Sequence, residues 1–139
     1  MNIKGFFKQV YAQESLLRAK EVELRIAHRD IESLKSTLGP KESLTGSGEL
    51  SGKLAQVERY ERRVKREMDR LYAMKDRAKT MINQLENPEE KAVMTYRYLN
   101  HMKWEEICIH ANMGWANTHR HHARALKHIH LKLTKDDIE

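Results

Sequence analysis

The sequence predicts an all-α protein: a long N-terminal antiparallel, coiled-coil-like helical hairpin followed by a compact three-helix helix-turn-helix unit. Three observations carry this. Apolar residues recur at spacings of three, four and seven along most of the chain, only 6 Gly and 2 Pro punctuate 139 residues, and nothing alternates at period two long enough to make a strand. The domain plan that follows is a hairpin over 1–86 with a flexible loop at about 39–52, a compact unit over 87–135, and a tail over 136–139.

The first helix runs from Ile3 to about Leu38, where Val10, Leu17, Leu24, Ile31 and Leu38 repeat every seven residues, with Phe6, Ala27 and Leu34 beside them. Gln13 and Lys20 weaken that seam. Gly39 to Gly52, GPKESLTGSGELSG, then holds four of the six glycines and one of the two prolines, which reads as a loop. Its GSG lacks the preceding strand and the GK[ST] of a phosphate-cradling turn. After it a second series begins: Val57, Val64, Leu71, Ala78 and Leu85, with Leu54, Met68, Met74, Met81 and Ile82 alongside. The two seams pair either within one chain or between subunits. Arg59, Arg62, Arg63, Arg66 and Arg70 form a basic ridge on the second helix, but Glu58, Glu61, Glu67 and Asp69 lie among them at ion-pair spacing. A solvated face is the simpler reading of that ridge, contact with phosphate or protein the alternative.

LENPEEKAV ends the hairpin. Asn87 is a helix cap, Pro88 suits the first helical position, and Glu90 completes an N-x-x-E pattern like a capping box. Three helices follow, at about 88–100, 103–111 and 115–133, joined by turns short enough to force a compact unit. A helix-turn-helix places a small residue in its first helix, a left-handed residue four later, and buried residues ten and thirteen later. Counted from Cys108 these are Asn112, Thr118 and His121. Asn112 tolerates a left-handed backbone, whereas Thr118 and His121 are more polar than a buried contact favours.

The formal charge is +6 and the pI ≈ 9.5, which suits an anionic partner, and the excess is localised. Between Glu106 and Asp136 there is no carboxylate, while Arg120, Arg124, Lys127, Lys132 and Lys135 fall inside. Five of the eight histidines fall between Asn112 and His130: His119, His121, His122, His128 and His130. A zinc site needs three or four convergent ligands, and with no acid and only Cys108 nearby, no metal is expected. These imidazoles face DNA or water, or pack between helices, and any lying near phosphate should make DNA affinity rise as pH falls. One cysteine, no apolar leader and no long apolar run predict a cytoplasmic chain without a membrane span. No nucleophile–base ordering or paired carboxylate suggests an enzyme, and no cofactor is implied.

From Glu86 to Ile129 the chain resembles region 4 of bacterial sigma factors and, more closely, the ArpU/RinA-type regulators of phage late genes. The matching residues are Arg97, Tyr98, Leu99, Trp104, Glu105, Glu106 and Ile107, then Arg120, His122, Arg124, Ala125 and Leu126. Spacing agrees without a gap from Trp104 to Leu126, although the family's Gly-aromatic-Ser turn is here Asn112-Met113-Gly114. A shifted register would place the turn at Met113-Gly114-Trp115 and cap the next helix with Ala116.

The resemblance implies a transcriptional activator of phage or prophage genes, working in a bacterial host cell. Its C-terminal helix would enter the major groove of double-stranded DNA, and its N-terminal helices would self-associate as a homodimer or contact RNA polymerase. In the ungapped register the start of the recognition helix displays Trp115, Ala116, Asn117, His119, Arg120 and Ala123, with Arg124 and Lys127 one turn on. Asn reads adenine and Arg reads guanine by bidentate hydrogen bonds, while Arg124 and Lys127 suit phosphates. Trp115 either meets a thymine methyl or packs on the preceding helix, and Trp104 is expected in the core. Two rival readings are a packaging protein like a small terminase subunit, and a helical adaptor that binds protein instead of DNA.

Overall fold

The structure, a computed structural model, describes residues 1–44 and 48–138, with side chains described for 1–37 and 48–135. Helix α1 spans Ile3–Leu44, α2 Gly48–Asn83, α3 Pro88–Met94, α4 Trp104–Ala111 and α5 Trp115–Ile138, and a π-helical turn, Thr95–Leu99, follows α3 directly. A long helical hairpin followed by shorter helices is the architecture that the periodicity predicts. Among the described residues there is no strand.

Two compact units divide the chain: Ser15–Arg70, and Met1–Glu14 together with the residues from Leu71 onward. In the first, α1 and α2 run antiparallel. Lys20 Nζ lies 3.8 Å from Glu67 Oε1 and His28 Nε2 3.1 Å from Glu61 Oε1, so partners ascend one helix as they descend the other. The seams therefore pair within one chain. Leu17, Ile31, Leu50, Val57 and Val64 are buried, with Leu24, Ala27 and Leu34 packed beside them. Lys20 is tolerated at its seam position because it lies along the interface with its ammonium beside Glu67. Leu54 departs from expectation and is 41% exposed, since Leu50 and Val57, seven apart, fill the seam and leave it at the edge. Arg59, Arg62, Arg63, Arg66 and Arg70 are all exposed.

The predicted loop over 39–52 is a correction. Helix α1 continues through Gly39 and Pro40 to Leu44, and α2 begins at Gly48; only 45–47 lie outside the described residues, as does the side chain of Leu38. Burial of Leu50 against Ile31 and Val57 explains the early start of α2. No contact among the described residues explains why the helix passes Gly39 and Pro40.

The second unit has a core that the predicted boundary at 86/87 would cut. Ile3, Phe7 and Val10 of α1 join Ala78, Met81, Ile82 and Leu85 from the α2 end, and Met94, Tyr98, Ala125 and Ile129 from the C-terminal helices. Phe7 is fully buried, with its ring 4.9 Å from that of Tyr98. Short helices enclose too little apolar surface among themselves, and the first turns of α1 supply the rest. Asn2 starts α1, its Oδ1 accepting from Gly5 N at 3.0 Å. The predicted tail is likewise absent as a separate element, for α5 extends to Ile138.

Local signals mostly hold. Asn87 caps α3, its Oδ1 accepting from Glu89 N at 2.9 Å and Glu90 N at 3.1 Å. The Glu90 half of the expected capping box differs, because its Oε1 turns to His128. The single helix expected over 88–100 widens instead into the π turn, where Asn100 N bonds Thr95 O at 3.0 Å, and His101 then takes a left-handed backbone at φ 56°. Asn112 is left-handed at φ 54°, ψ 47°, and α5 starts at Trp115, which selects the ungapped register.

Candidate nucleic-acid interface

The sequence leaves two buried polar residues between α4 and α5 to be explained, and both are satisfied. Thr118, fully buried, donates to Gly114 O at 2.9 Å and accepts from Cys108 Sγ at 3.4 Å, so a short local network closes the helix crossing. His121, 8% exposed, places Nε2 3.0 Å from Glu89 Oε2. About two helical turns along, His128 Nδ1 lies 2.5 Å from Oε1 of Glu90, a carboxylate with only 2% exposure. The acids missing from α5 between Trp115 and Lys135 are thus provided by the start of α3, and they clamp one flank of α5. Lys132 extends this clamp, with its ammonium on Gln84 O and 3.5 Å from Glu86 Oε1.

A second flank is aromatic. Trp104, half-buried rather than enclosed in the core, lies 4.3 Å from the His119 ring and 4.8 Å from the His122 ring. Trp115 lies 4.4 Å from the same His119 ring, yet is itself 55% exposed. His122 Nε2 shares a 2.7 Å hydrogen bond with the Tyr98 hydroxyl. Burial, followed by the neighbouring charges of His119, Arg97 and Lys4, pushes His122 down to about 4, while burial raises Tyr98 to about 12 against the opposing field of Arg97. Both groups are therefore neutral across the physiological range. Arg97 stacks between Tyr11 at 3.7 Å and Trp104 at 4.5 Å and donates to Met102 O at 3.0 Å, tying the π turn to α1 and α4. His101 joins the same cluster, stacked 4.1 Å from Tyr11.

Between the two flanks runs a free face. Ala116, Asn117, Arg120, Ala123, Arg124 and Lys127 are all exposed, and at about 100° per residue they fall within roughly a third of the helix circumference. Every side chain of that strip is small, amide-bearing or cationic. Of the eight residues expected on the recognition surface, Trp115 and the half-buried His119 lie beside it, His119 lining a groove with Ala123 and Lys127. His119 Nε2 is buried with no hydrogen-bond partner, and its ring packs against both indoles. His119, His121, His122 and His128 are thus dispersed among separate carboxylates and rings, and His122, pushed down to about 4, does not supply the proton-sensitive charge that the sequence suggested for the cluster.

Sequence reasoning missed Glu89, Glu90 and Tyr98 as the supports of α5. Glu89 and Glu90 read as acids at a helix start, and nothing local in the sequence connects them to histidines more than thirty positions on. Comparison of the chain with protein-family models, curated proteins and solved structures gives no match.

Proposed function

We propose that this protein is a sequence-specific double-stranded-DNA-binding transcriptional activator that places α5 in the major groove. The observation that carries the reading is the carboxylate-free strip of α5, which directly follows a left-handed Asn112 turn and is held open by clamps on either side. A strip of this width suits a groove about 12 Å across. Asn117 and Arg120 take the base-reading roles, and Arg124 and Lys127 the phosphate roles. Ala116 and Ala123 leave room for close approach of the helix to base edges. Activation of phage or prophage late genes, and contact with RNA polymerase, rest on the resemblance of Arg97–Leu99, Trp104–Ile107 and Arg120–Leu126 to the ArpU/RinA-type regulators.

A second reading has one observation in its favour. Ile109, 79% exposed, and Trp115, 55% exposed, flank the α4–α5 turn and would suit a protein surface as well as a DNA edge. Selection from a random pool of duplex DNA at moderate salt separates the two. The DNA reading expects one enriched sequence, protected on footprinting; absence of enrichment contradicts it and favours a protein adaptor.

A further inference from the structure

Helix α1 carries a second seven-residue pattern on the face turned away from α2. Ser15, Ala19, Val22 and Ile26 follow one another at spacings of four, three and four, and all are exposed, Val22 by 45% and Ile26 by 48%. Apart from Ala12 and Leu16, the other exposed side chains of α1 between Lys4 and Glu32 are polar or charged. Leu16, 46% exposed, borders the stripe, and Arg29, at the next seam position, closes it. The two edges are oppositely charged: exposed Arg18 and Arg25 line one, exposed Glu23 and Asp30 the other.

We infer that this face of α1 binds a second copy of the chain in a parallel, two-stranded homodimer. In a parallel pair, a residue on one edge meets the residue five positions later on the opposite edge of its neighbour. Arg18 then faces Glu23 and Arg25 faces Asp30, each twice by symmetry. An antiparallel pair brings like edges together, arginine against arginine and acid against acid, so the charge pattern selects the parallel form. Ser15 and Ala19 permit close approach of the helices, and Val22 and Ile26 provide the apolar contact. A groove of about 320 Å³ beside the acidic edge, lined by Glu23, Ile26 and Asp30 with Lys53 and Tyr60 opposite, gives the incoming Arg25 a place to lie. The stripe is only about three turns long, so the dimer is weak and salt-sensitive. A parallel pair carries two copies of α5, which calls for a DNA site made of two half-sites.

The inference stands on α1 alone and is tested without DNA, by sedimentation equilibrium of the full chain, with circular dichroism to verify folding. The wild type is expected to dimerise reversibly, with a dissociation constant on the order of micromolar. Ile26→Glu, at an exposed position, weakens it at least about tenfold. Arg18→Glu/Arg25→Glu is monomeric alone, as is Glu23→Arg/Asp30→Arg, and mixing the two restores a dimer. In a Cys108→Ser background, Ala19→Cys cross-links to itself under mild oxidation, as facing seam positions of a parallel pair must. A wild-type monomer throughout the range on the order of 100 µM overturns the inference, as does a dimer indifferent to Ile26→Glu and to both charge reversals. Failure of the Ala19→Cys cross-link in a dimer that does respond overturns the parallel orientation. None of these variants touches the α5 strip, so a failure here leaves the DNA reading standing.

Discussion

His122 is a titration reporter built into the aromatic flank of α5. Its folded value is about 4 against an ordinary value of 6.5, so as pH falls the unfolded chain takes up a proton before the folded one does. The resulting contribution to stability is fully present above about pH 7, is lost between about 6.5 and 4, and levels off below that. Allowing for its partial exposure, the loss is on the order of 2 kcal/mol. His122→Gln, which still accepts from Tyr98, should remove that limb when urea midpoints of the two proteins are compared from pH 7.5 to 4. Parallel pH profiles would show that His122 titrates normally. His128 makes a complementary case: His128→Ala leaves the buried Glu90 carboxylate without its imidazole and should destabilise the protein by about 2 kcal/mol or more. Thermal denaturation measures this, and an unchanged midpoint would mean that water replaces the imidazole.

At the scale of elements, the α4–α5 turn depends on one residue that occupies left-handed space. Asn112→Gly should be nearly neutral, whereas Asn112→Ala should cost about 1 kcal/mol, because a β-carbon there meets the following carbonyl without an amide side chain to compensate. Equal unfolding midpoints for the two variants would contradict that assignment. This turn was legible in advance: the spacing from Cys108 through Asn112 and Thr118 to His121 places a known geometry on adjacent residues, and the seven-residue series fixed both seams. Local chemistry served poorly elsewhere. Glycine and proline at Gly39 and Pro40 argued for a loop where α1 continues, and the acids at Glu89 and Glu90 gave no sign of their imidazole partners. Such pairings join residues distant in sequence, and periodicity carries no record of them. His119 illustrates the same limit, since helical spacing placed it beside the exposed strip of α5 but could not show that its ring packs against two indoles.

For the molecule as a whole, the unit that presents α5 is discontinuous in sequence. Phe7→Ala lies more than a hundred positions from Arg120, yet should destabilise the unit by about 3–5 kcal/mol, because a fully buried ring against Tyr98 and Ile82 would be lost. Loss of hydrogen-exchange protection in α5 of that variant reads this out; unaltered protection would mean that the C-terminal helices fold without α1. The most direct test of the recognition-helix assignment is to repeat the DNA selection with Asn117→Ala and with Arg120→Ala. Each should retain the fold and relax preference at one or two neighbouring base positions, by about tenfold or more, corresponding to roughly 1–3 kcal/mol for a bidentate contact. If both variants select the same sequence with wild-type affinity, α5 does not read DNA.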